Sequence, residues 1–129
     1  MGKSELEELL LLQIRDAGLP EPGRNVRKGF VMGLKGRWLE ADFLWKFSED
    51  NTCFRGVAVE VQGGLWMPPA RDRQGIMRGR GHANPKRIED DCTKMCLAQL
   101  DSWLILPVTK KMINDGRALE WIREALALA

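Results

Sequence analysis

The sequence predicts an α/β domain: a mixed β-sheet flanked by helices, in the order α-β-β-β-α-β-α. Two observations point there. The run after Gly56, Val57-Ala58-Val59-Glu60-Val61, is almost continuously apolar, as a central strand must be. Segments before, between and after the apolar runs carry apolar residues at helical spacing. A length of 129 residues suits one domain with one core.

Taken in order, Ser4 followed three residues on by Glu7 is a capping-box pattern and starts a helix. Leu6, Leu9, Leu10, Gln13, Ile14 and Ala17 fall on one face of it, and Gly18 ends it, with Pro20 and Pro22 beyond. Arg24 to Lys35 is basic and broken by glycines, with a first edge strand expected around Val26 to Met32. Trp38 to Phe47 reads as a strand, Ser48-Glu49-Asp50-Asn51 as a turn, and Phe54 to Gln62 as the central strand. Gly63 to Pro85 has no periodicity and is expected to be a long loop, a feature that compact domains keep for function or mobility. Asn84 caps the next helix, with Pro85 at its first position. Ile88, Cys92, Met95, Cys96, Gln99 and Leu100 form its apolar stripe. Trp103 to Val108 is a further strand. Asn114 or Asp115 caps a last helix, with Leu119, Ile122 and Leu126 facing inward.

Net charge is only +2, so any affinity for nucleic acid must come from local clustering. No apolar run approaches the ~20 residues that span a bilayer, so no membrane partner is expected. The opening MGKSELEELL turns amphipathic at once and carries no cleavage site, so no secretory signal is expected either. Three cysteines, Cys53, Cys92 and Cys96, are an odd count without framework spacing, which points to a reduced, cytoplasmic setting.

The chemistry lies in two acids set inside apolar strands, Asp42 and Glu60. Carboxylates brought together at a sheet edge repel unless a cation sits between them, and Mg²⁺ is the oxygen-seeking candidate. The other reading sends one acid to solvent and pairs the second with an arginine. Glu60 in Val-Ala-Val-Glu-Val weighs for the cation, because an unpaired buried charge costs several kcal/mol.

Three pieces in order then resemble a known pattern. They are Ser4-x-x-Glu7 with Ala17-Gly18-Leu19-Pro20, then Asp42-Phe43-Leu44-Trp45, then Glu60-Val61-Gln62-Gly63-Gly64-Leu65-Trp66. The helix opened by Glu89-Asp90-Asp91-Cys92-Thr93-Lys94 and the strand Asp101-Ser102-Trp103-Leu104-Ile105-Leu106 continue it. Together they resemble the PD-(D/E)XK nuclease superfamily, in particular small endonucleases similar to very-short-patch repair endonucleases. The resemblance implies a restriction-endonuclease-like fold and a DNA endonuclease dependent on Mg²⁺ or Mn²⁺. It implies Asp42 and Glu60 as metal ligands, joined by the backbone carbonyl of Val61. Gln62 stands where many members have Lys, and it can only orient water or offer its amide oxygen. Lys94, on the following helix, is the candidate for the missing cation. Glu7 either reaches the site through a metal-bound water or merely caps its helix, with Glu5 as the substitute. Asp91 reads as a residue favoured by the helix dipole.

His82, the single histidine, is either a general acid and phosphate contact or a solvent-exposed bystander. Together with Cys92 and Cys96 it permits a zinc site, which the apolar placement of both cysteines disfavours. Arg71, Arg73, Arg78, Arg80, Lys86 and Arg87 crowd the long loop, and Arg24, Arg27, Lys28, Lys35 and Arg37 precede the Asp42 strand. Both groups flank the carboxylates in sequence and are expected to hold DNA phosphates, the alternative being a solvated loop. Trp66 and Met67 either wedge between bases or pack the loop base. The expected reaction is hydrolysis of phosphodiesters in branched or otherwise structured DNA, by a nucleoid-associated homodimer. The alternatives are a mismatch or site-specific nickase, a catalytically decayed DNA-binding module, and an interaction protein whose acids pair with Arg37 or Arg55.

Overall fold

The computed structural model describes residues 2–26, 40–62, 70–71, 77–78 and 85–129, without the side chains of 70, 71, 77, 78 and 87. Among these residues the chain is an α/β fold with a four-stranded mixed sheet flanked by helices. The sheet has the order β1 (Gly23–Val26), β2 (Ala41–Lys46), β3 (Gly56–Gln62), β6 (Trp103–Thr109). β1 and β2 run antiparallel, as do β2 and β3, while β3 and β6 run parallel. Parallel neighbours require a crossover, and helix α2 (Pro85–Leu100) lies on it.

The core fills in two layers. On one face, Phe43 and Trp45 of β2 and Val57, Val59 and Val61 of β3 pack against Leu6, Leu10, Leu11 and Ile14 of α1 (Lys3–Asp16). Ile113 of α3 (Lys110–Asn114) and Ile122 of α4 (Arg117–Leu126) complete that layer. On the other face, Ala41, Leu44 and Ala58 form a second cluster with Trp103 and Ile105 of β6 and Ala98 of α2.

Helix α1 ends as its sequence predicts. Gly18 takes φ +71°, its N–H bonds the Arg15 carbonyl and the Leu19 N–H bonds the Ile14 carbonyl. This pair of bonds is the Schellman arrangement that favours glycine. Gly56 answers a different demand. A Cβ there would collide with the Trp45 carbonyl oxygen and stand 2.7 Å from the Trp103 ring. Gly56→Ala is therefore expected to lower stability by about 3 kcal/mol, read as a fall of roughly 10 °C in the thermal midpoint.

Several expectations are corrected. The Ser4 capping box does not form: α1 starts at Lys3 behind Gly2, with no side-chain cap bond. Glu7 is instead buried, because the same helical face that carries Leu10 and Ile14 turns it toward the sheet. The first strand includes residues 23–26, ahead of the expected start at Val26, and the rest of the expected stretch, 27–32, lies outside the described residues. The long loop contains two short paired strands, β4 (Ala70–Arg71) and β5 (Met77–Arg78). The last helix is two helices. Thr109 caps α3 through its side chain, and Gly116 in the left-handed region precedes α4. Asp115 closes α3, and its carboxylate accepts from the Arg117 backbone N–H at 3.1 Å.

Helix α2 shows the largest departure. Cys92 and Cys96, placed by the stripe on its apolar face, are exposed, as are Ile88 and Leu100. The sheet-facing row is Asp91, Lys94, Met95 and Ala98, at spacings i, i+3, i+4 and i+7. This rotation buries Ala98, and Met95 in part, in the cluster with Trp103 and Ile105 of β6, and it leaves Ile88 and Leu100 outside.

Candidate functional site

The β2–β3 ladder runs from Lys46↔Gly56 to Phe43↔Val59 and stops there. Asp42, one residue before Phe43, continues the pairing as a side chain: its Oδ2 accepts the Val61 backbone N–H at 2.7 Å. The strand end is thus held by a carboxylate, which is 2% exposed. Continuing the register puts Glu60 across from Asp42, on the same sheet face.

Helix α1 brings two more charged groups. Its Lys3 and Glu7 lie one turn apart, so they share a face. The Lys3 Nζ stands 3.2 Å from Asp42 Oδ1. Glu7 is 9% exposed, and its Oε1 is buried with no hydrogen-bond partner among the described residues. Two half-buried residues of α2 act on Glu60 by charge: Asp91 raises its carboxyl and Lys94 lowers it.

Electrostatics report the crowding. Burial, then the charges of Asp42 and Asp91, push the Glu60 carboxyl up to about 7 against the offsetting pull of Lys3 and Lys94. Burial and the Asp42 charge raise Glu7 also, with Lys3 and Arg24 opposing. Burial by itself would lower the Lys3 ammonium, yet Asp42, Glu7 and Glu60 together raise it. A cation thus already stands among the carboxylates, in the form of an ammonium group.

The donors are the kind a hard divalent ion takes: carboxylate oxygens, the Gln62 amide and the orphaned Glu7 Oε1. No group of three or more His, Cys, Asp or Glu side chains among the described residues is already drawn together around an ion position. Residues and chemistry fit such an ion, but the side chains must close on it and Lys3 must make room.

Most strand and helix expectations meet here. Asp42, Glu60 and Glu7 converge, and Gln62, two residues past Glu60, shares its face and is half-buried. The charge of Lys94 acts on Glu60, drawing its carboxyl down. The Val61 N–H bonds Asp42, which fixes this residue beside the cluster. Glu5 is exposed, so it does not replace Glu7. Arg24 is tied at 3.1 Å to Glu8 and stacked 5.3 Å over the Phe43 ring, so it is engaged within the fold. Arg55 pairs with Asp101 at 3.6 Å and not with the strand acids. Lys86 is exposed at the start of α2. His82, Arg27, Lys28, Lys35, Arg37, Trp66, Met67, Arg73 and Arg80 lie outside the described residues, as do the side chains of Arg71, Arg78 and Arg87.

Two members of the cluster escaped the sequence reading. The helix dipole explains Asp91 locally, while its repulsion of Glu60 joins residues distant in sequence. Lys3 carries a local signal in its spacing from Glu7: once Glu7 faces the sheet, the residue one turn earlier does too. A cleft of about 600 Å³, lined by Lys46, Glu49, Cys53, Arg55 and Trp103 among others, opens at the opposite end of β2 and β3. It is separate from the carboxylates. No helix of the described residues is long and apolar enough to cross a membrane. Comparison with family models, curated proteins and solved structures finds no match to this chain.

Proposed function

We propose that this chain is a divalent-metal-dependent DNA endonuclease of restriction-endonuclease-like fold, which nicks or resolves structured DNA. One observation carries the reading: Asp42, Glu60 and Glu7 come from three separate elements to the same end of the sheet, at a cost in repulsion that a merely structural site has no need to bear. Asp42 and Glu60 would hold the ion, with Glu7 behind them. A bound Mg²⁺ or Mn²⁺ supplies Lewis acidity toward a phosphate oxygen and acidifies a coordinated water.

The chain's own residues divide the remaining work. Gln62 orients water through its amide, having no charge to give. Lys94 offers positive charge beside Glu60. The basic residues on either side of the strand acids in sequence, including Lys86, hold the phosphate backbone. The Lys3–Asp42 pair favours a second reading, in which an ammonium has replaced the ion for good and the chain only binds DNA.

Supercoiled plasmid incubated with the protein and Mg²⁺ or Mn²⁺ separates the two. The expected result is nicked or linear product that EDTA suppresses. Binding without any cutting at high protein would leave the DNA-binding module. Product analysis on branched, mismatched and plain duplexes then tests the preference for structured DNA over mismatch or site-specific nicking.

A further inference from the structure

We propose that Lys3 is the exchangeable counter-ion of this site: its ammonium balances the carboxylates of the metal-free protein and must leave Asp42 for a divalent ion to bind. The inference rests on the nuclease reading and concerns the occupancy of the same site. Three observations support it. Lys3 Nζ is 3.2 Å from Asp42 Oδ1, so it covers the oxygen left over after Oδ2 has taken the Val61 N–H. The charges of Glu7 and Glu60 act on the same ammonium, so its one positive charge offsets all three acids. The Lys3 side chain is 51% exposed while that of Asp42 is 3% exposed, so the lysine can swing to water and the aspartate cannot follow.

The consequence is a built-in competitor. Two cations cannot share Asp42 Oδ1 at contact distance without repulsion, so the free energy of the Lys3–Asp42 pair is subtracted from that of ion binding. Removing the ammonium removes the subtraction. Lys3 is in the first turn of α1 and half-exposed, so its replacement leaves the core untouched.

The test is Mn²⁺ binding by calorimetry, without DNA, to the wild-type chain and to Lys3→Gln, Lys3→Met and Lys3→Arg. Lys3→Gln and Lys3→Met are expected to bind Mn²⁺ about tenfold tighter than wild type, while Lys3→Arg, which keeps a cation, stays near wild type. Equal or weaker binding by the Gln and Met variants, with wild type still binding, overturns the exchange and leaves the nuclease reading standing. Absence of Mn²⁺ binding in every form overturns both.

Discussion

Asp42→Asn is expected to lower metal-dependent cleavage by about 10³-fold, the scale of several kcal/mol of lost charge stabilisation, while the protein stays folded. The substitution is chosen for its shape. The Asn oxygen can still accept the Val61 N–H that holds the end of the β2–β3 ladder. Truncation to Ala would orphan that buried donor, at a cost of about 1–3 kcal/mol, and would confuse loss of folding with loss of chemistry. What Asn removes is the charge. Lys3 then loses its nearest partner, and Glu60 and Glu7 lose a carboxylate that raises both. Plasmid nicking against protein concentration gives the activity, and circular dichroism with thermal melting gives the fold. A variant that cuts as well as wild type would remove Asp42 from the site and with it the proposed ion.

Glu60 sets the second expected result, which is read without any substrate. Its carboxyl ionises near 4.5 in the unfolded chain and at about 7 in the folded one. Below the lower value both states hold the proton, so folding carries no penalty from it. Between the two values the unfolded chain has released the proton and the folded chain has not, so stability falls as pH rises. Above the upper value both are ionised and the full penalty remains, on the order of 3 kcal/mol. Raised Glu7 adds in the same direction. Metal-free protein should therefore melt at a lower temperature near pH 8 than near pH 5, and Glu60→Gln should flatten much of that slope. Adding Mg²⁺ should restore the midpoint at the higher pH and do little at the lower, where protons compete for the same oxygens. Stabilisation of Glu60→Gln fits a purely structural ion-pair site equally well. The response to Mg²⁺ does not: a midpoint indifferent to the ion at high pH would leave the acids without a metal to hold.

Most of the strand and helix framework was legible because its signals are local. The nearly continuous apolar run of residues 57–61, the Gly18 stop and the Pro85 start each act through neighbours a few residues away. The same holds for Asp42 and Glu60, whose presence inside apolar strands marked them before any contact was known. Errors arose where two local signals competed. Ser4 and Glu7 satisfied a capping pattern, yet burial of the Leu6, Leu10 and Ile14 face decided where Glu7 went. The apolar stripe of α2 predicted a buried Cys92 and Cys96, yet the helix buries Ala98 in the cluster with Trp103 and Ile105 and leaves both cysteines exposed.

By itself, then, the amino-acid order determined the alternation of helices and strands and the identity of the two strand acids, since both follow from side-chain period and from the cost of an isolated charge in an apolar run. Only tertiary packing decided that Asp42 closes a ladder on the Val61 N–H, that Glu7 joins it, that the charges of Asp91 and Lys94 act on Glu60, and that an ammonium from the first turn of α1 stands among them. These contacts join residues far apart along the chain, and their energies depend on burial and distance, which no short stretch of sequence contains.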